Sequence, residues 1–237
     1  MQKSRIFALF FVKIDQIILI NAHKQEKKPY LKEKAVFSER TASMNESSCS
    51  LRVFHAAADT EELLVSIDNE TGSVSYRGLT GRFPVSPGFV TVTLAGARSK
   101  RIYLKKTLSL FCSVPYTAAI IQTGHGPDLL LLCDASCPEF PEDSGVLRAV
   151  SLAFGAPPLD LYLFGNRLLF PSVSFKEATC FKPIPAGEYG LYLTPEQDMD
   201  SPLLSVLISL EAGSQQTLCI LNGSWQPEAL DVMMLPN

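Results

Sequence analysis

Ser73–Gly88 reads SVSYRGLTGRFPVSPG, and Ser172–Gly187 reads SVSFKEATCFKPIPAG. Six of these sixteen positions are identical, and three more exchange Tyr for Phe, Arg for Lys and Val for Ile, at a constant separation of ninety-nine residues. The pairing continues outward from this window. LRVFHAAADTEELLVSI from Leu51 aligns with LRAVSLAFGAPPLDLYL from Leu147 at an offset of 96, and LSLFCSVPYTAAII from Leu108 aligns with ISLEAGSQQTLCIL from Ile208 at an offset of 100. The offset grows where the second copy carries the longer GNRLLFPS, as expected of a duplicated domain whose turns have changed length. The chain therefore contains one unit written twice.

Within each copy the apolar period is two. Leu63, Val65 and Ile67 alternate with Leu64, Ser66 and Asp68, and Leu159, Leu161 and Leu163 repeat the pattern. Such alternation marks half-buried strands. Val90, Val92 and Leu94 recur as Tyr189, Leu191 and Leu193, each set following a turn that ends in Gly88 or Gly187 and is flanked by Pro84, Pro87, Pro183 and Pro185. Glycine permits positive φ there, and proline cannot continue a ladder. Seven or eight short strands per copy, separated by Gly, Pro and Asn turns, predict an all-β protein: two tandem antiparallel β-sandwich domains, immunoglobulin-like or transthyretin-like. The expected boundaries are 44–133 for the first repeat, 134–145 for an exposed, stiff linker with two prolines and four acids, and 146–237 for the second repeat.

Residues 1–43 stand apart, with nine Lys or Arg against four acids, while residues 44–237 carry twelve against twenty. The opening apolar run is broken by Lys13 and Asp15, too short for a transmembrane helix and without a clear signal-peptide form. The leader is expected to be disordered or loosely helical, with Met44 as an alternative start. The acidic repeat region excludes a phosphate-binding stripe, so no nucleic acid is expected as a partner. The sequence leaves the compartment open between cytoplasm and cell envelope.

Six cysteines invite a disulfide framework, but Cys112 aligns with Ala212, Cys180 with Gly81 and Cys219 with Ala119, so the fold does not call for a shared bridge. Cys133 and Cys137, with His125 nearby, are read as connection thiols rather than as a metal site, because the spacing lacks paired ligands. No nucleophile elbow, phosphate loop or zinc-helix motif occurs, and no cofactor is expected.

The stretch LRVFHAAADTEELLVSIDN, followed by VSPGFVTVTL, resembles the bacterial family called domain of unknown function 4397. The first copy carries the family pattern at Arg52, His55 and Asp59, and the second at Arg148, Asp160, Tyr162 and PAGEY. The resemblance implies tandem sandwiches and a bacterial source without an established activity.

Two functional readings lead. A binding module would use outward positions of the second copy, Tyr162, Phe164 and Tyr192, together with Trp225, to stack on a protein partner or carbohydrate. A surface or envelope spacer would need none of them. A hydrolase or metal site at His55 with Asp59 ranks last, because the second copy has Ser151 and Gly155 at those places.

Overall fold

The computed structural model describes residues 49–111, 114–136, 139–224 and 229–237. The leader, Met44, Cys112, Cys137 and Trp225 lie outside them. The described residues form sixteen strands and no helix, so none is long and apolar enough to cross a membrane as a helix.

The first sandwich comprises β1 (Cys49–His55), β2 (Leu63–Ile67), β3 (Glu70–Val74), β4 (Phe83–Val85), β5 (Gly88–Gly96), β6 (Ile102–Leu110), β7 (Pro115–Thr123) and β8 (Gly126–Cys133). The second repeats the plan with β9 (Ser144–Ser151), β10 (Leu159–Leu163), β11 (Arg167–Val173), β12 (Lys182–Pro185), β13 (Gly187–Pro195), β14 (Leu204–Leu210), β15 (Gln215–Asn222) and β16 (Leu230–Pro236). Each sandwich has an inner sheet, ordered β4-β1-β7-β8 or β12-β9-β15-β16, and an outer sheet, ordered β3-β2-β5-β6 or β11-β10-β13-β14. Pairing is antiparallel with one exception in each inner sheet, where β1 runs parallel to β7 and β9 parallel to β15. These strands are not neighbours in sequence, so no hairpin dictates their direction.

In the outer sheets, alternation does what the sequence predicts. Leu63, Val65 and Ile67 point into the first core with Val90, Val92 and Leu94, while Leu159, Leu161 and Leu163 meet Leu191 and Leu193 in the second. The inner sheets behave differently. Every residue of β9 is buried, as is nearly all of β1 and the centre of β7 and β15. A strand buried on both faces must have a second layer to cover it. The covering layer is the other inner sheet: Phe54, Ala119, Ile121 and Leu132 of the first sandwich join Val150, Leu152, Cys219 and Leu221 of the second in a third apolar cluster.

Each sandwich keeps its own core, and this third cluster joins the two in addition to the connection. Asp134, placed by its acidic surroundings in the linker, is 3% exposed. Residues 139–143 do run along the surface.

Candidate functional site

The family-pattern arginines lie in the seam between the inner sheets. Arg52 on β1 donates from Nε to Thr117 Oγ1 on β7 (2.8 Å), and Arg148 on β9 donates from Nε to Thr217 Oγ1 on β15 (2.9 Å). Each then crosses to the other sandwich: Arg52 donates to the Pro236 carbonyl and Arg148 to the Cys133 carbonyl, both at 2.6 Å. The carboxylate between them is Asp134, which accepts from Arg148 at 2.8 Å and from the Thr117 hydroxyl at 2.5 Å, with Arg52 at 3.5 Å. At the corresponding place in the second sandwich, Asn237 Oδ1 accepts from Thr217 at 3.0 Å. The rim follows the same rule, for Arg77 pairs with Asp231 across the seam and Lys176 pairs with Asp128 (3.1 Å) in the reverse sense. Lys106 also holds Asp128, and although burial opposes it, the hydrogen bonds from Lys106, the Leu129 amide and Lys176 bring that carboxyl down to about 2. Burial pushes the Cys219 thiol at the seam up to about 12, leaving it protonated and inert. The two arginines thus join the sandwiches and offer no open cleft.

His55 is fully buried at the end of β1. Its Nδ1 accepts from the Ala57 amide at 3.3 Å, so Nε2 carries the proton and donates to the Glu61 carbonyl at 3.2 Å. Burial lowers its pKa, in keeping with a neutral ring. Both nitrogens are therefore committed to the turn that carries Asp59, which is itself exposed. Among the described residues no group of three or more His, Cys, Asp or Glu is placed to hold a metal. Asp160, paired with Thr194 on the outer sheet of the second sandwich, ties β11 to the turn after β13: its carboxylate accepts from the Ser172 amide at 2.7 Å and the Gln197 amide at 3.2 Å.

The outward aromatics do come together. Tyr162 and Tyr192 are register partners on β10 and β13, with rings stacked 5.2 Å apart and 11° from parallel. Phe164 lies 6.0 Å from Tyr192, and its ring covers Gly190, where an added Cβ would collide with it. Glycine in a strand weakens the sheet unless something packs on it, and Phe164 does so. Tyr162 is buried at the base of this platform, whereas Phe164 is 61% exposed. The sequence reading missed two neighbours: Leu168, paired with Tyr162, is 46% exposed, and Leu207, paired with Gly190, is 77% exposed. The signal for Leu207 was available in the alternation of β14, where Leu204, Val206, Ile208 and Leu210 face inward, but β11 does not alternate and gave none for Leu168. Tyr192 donates its hydroxyl to Asn166 at 2.8 Å, at the rim. The inner sheet, not this one, meets the first sandwich, so the platform stays uncovered by it. On the first sandwich the same face carries Ser66, Thr91, Thr93, Lys105 and Thr107, with Thr91 and Thr107 only 3.3 Å apart.

A family model described as "Domain of unknown function (DUF4397)" matches residues 49–162, which span the first sandwich and continue through β9 into β10. No curated protein matches the chain. Among solved structures, a family 26 carbohydrate-binding module from Eubacterium rectale Amy13K, in complex with maltoheptaose, is 8% identical, with a TM-score of 0.26 over 80% of this chain and 97% of that one. The TIE protein of Bacillus anthracis is 12% identical, with a TM-score of 0.24 over 74% of this chain and 34% of that one.

Proposed function

Starting from a chain whose residues 49–162 match the model of a domain family of unknown function, we propose that the protein is a non-catalytic recognition module that docks a protein partner on the outer sheet of its second sandwich. The observation that carries this is the asymmetry between two copies of one fold. Where the first presents Ser66, Asp68, Thr93 and Thr107, the second presents Tyr162, Phe164, Tyr192 and Leu207. Exposed Phe and Leu side chains set together on one sheet face lose apolar hydration when covered, about 25 cal/mol for each Å² removed from water. Two of the three exposed members, Leu168 and Leu207, have no π-face to offer a sugar ring, which favours a protein surface over a carbohydrate. A spacer would have no use for such a patch.

The test replaces the patch with the first copy's own residues, Phe164→Asp and Leu207→Thr, and compares immobilised original and variant protein against an extract of the source cells. A partner retained by the original and released by the variant supports the reading. Retention unchanged by the double substitution overturns it. Binding to an insoluble polysaccharide that the variant loses would assign the face to carbohydrate instead.

A further inference from the structure

The two copies differ at a second place, the end of each sandwich where the first strand turns into the next. In the second sandwich a cavity of about 330 Å³ is lined by Phe154, Gly155, Ala156, Pro157, Leu203, Asn222 and Leu230. By offset and strand register these correspond to the loop Ala58–Glu61, Tyr103, Gln122 and Pro127 of the first sandwich. The registers agree, since Leu94 pairs with Leu104 just as Leu193 pairs with Leu204, which puts Leu203 at the place of Tyr103.

In the first sandwich the chain closes this end with its own aromatic ring. Tyr103 packs against the core, and its hydroxyl donates to Glu61 Oε1 at 2.9 Å. Hydrogen bonds from Ser99, from Tyr103 and from the Arg98 and Ser99 amides hold the Glu61 carboxyl down at about 2. The second sandwich has lost both members of that pair: Pro157 cannot accept from a phenol side chain as Glu61 does, and Leu203 has no ring and is 47% exposed. The loop is held open by a different brace, since Asn222 accepts from the Phe154 amide at 2.8 Å and donates to its carbonyl at 3.1 Å. The Phe154 ring is further fixed edge-on to Phe175, with centroids 5.6 Å apart.

We propose that this cavity is a binding site for a small neutral aromatic molecule, whose ring takes the position that the Tyr103 ring holds in the first copy. The walls define the chemistry. They are Phe, Pro, Leu and Ala side chains without a charged group, and the one amide among them is turned to the loop backbone. Apolar cavities of about 150 Å³ take benzene, so this volume accommodates one or two rings, and it sits at the lower end of the range of ligand pockets, roughly 300–1,000 Å³. The site is separate from the outer-sheet platform and shares no residue with it.

The experiment titrates the full chain with p-cresol and with 2-naphthol by isothermal calorimetry. Saturable one-to-one binding is expected for at least one of them. Leu203→Tyr, which copies the first sandwich, should weaken that binding tenfold or more while leaving the melting temperature unchanged or raised; Leu203→Phe serves as a second filling variant should the first fail to fold. Phe164→Asp should leave the titration unaltered, which separates this site from the recognition face. Absence of saturable binding, or full affinity retained in a folded filling variant, overturns the proposal.

Discussion

Replacing Asp134 with Asn removes one charge and changes almost no volume. The side chain is fully buried between Arg52 and Arg148, with Arg82 at 3.7 Å. Asparagine can keep the contact to Thr117 but leaves two enclosed guanidinium groups without a counter-charge. Removing one partner of such a buried pair costs about 3–5 kcal/mol, because the remaining ion was desolvated on the strength of the lost attraction. For a folded body of this size each kcal/mol moves the melting temperature by about 2–4 °C, so a drop of roughly 6–20 °C is expected in calorimetry. The chain also supplies a rescue. Asn237 meets Thr217 as Asp134 meets Thr117, so adding Asn237→Asp to Asp134→Asn moves the carboxylate to the matching place and should recover at least half of the loss. A cost under about 1 kcal/mol for Asp134→Asn, or a further loss on adding Asn237→Asp, would refute the reasoning that this charge cluster joins the sandwiches.

Proteolytic nicking within the exposed 139–143 segment should leave both halves associated through gel filtration, because the apolar seam rather than the connection holds them. His55→Ser should cost about 2–3 kcal/mol in urea unfolding, from the lost ring volume and the two backbone groups it leaves unanswered. His55 also sets a pH dependence: its pKa is lowered in the fold, so the unfolded chain binds its proton first, and stability should fall as pH drops below about 6.5 and level off beneath the folded pKa, a slope that His55→Ser removes. Asp128, held at about 2, keeps its contribution above pH ~4 and loses it as pH falls toward 2, so Lys176→Met should flatten the acid limb of the melting curve.

Much of this architecture is legible in the sequence because half-buried strands announce themselves. The outer sheets show it: Leu63, Val65 and Ile67 could only be placed on one face, and Tyr162, Phe164 and Tyr192 fell outward by the same count. The inner sheets give no such sign. LRVFHAAA and VLRAVSLA are nearly unbroken apolar runs, and a run buried on both sides does not say what lies beyond it. Asp134 was hidden for the opposite reason, since an acid among prolines and acids reads as solvated until the two arginines that enclose it are brought from 82 residues before it and 14 after. At the cavity, the exchange of Tyr103 for Leu203 is visible in the alignment, but the volume it leaves depends on the Asn222 brace, which joins residues 68 apart.

The seam has a consequence for how the chain came to have two unlike halves. Contacts that recur with roles exchanged, Arg52 to the Pro236 carbonyl and Arg148 to the Cys133 carbonyl, are those of a self-complementary homodimer about a twofold axis. A solitary half would bare the face of Phe54 and Ile121 and would have to pair with a copy of itself. In such a dimer any surface change appears twice, so an apolar platform would be displayed at both ends and invite chaining into filaments. Covalent fusion breaks that obligation: one half can turn aromatic while the other stays hydroxylated, and one Asp can serve where symmetry would have imposed two.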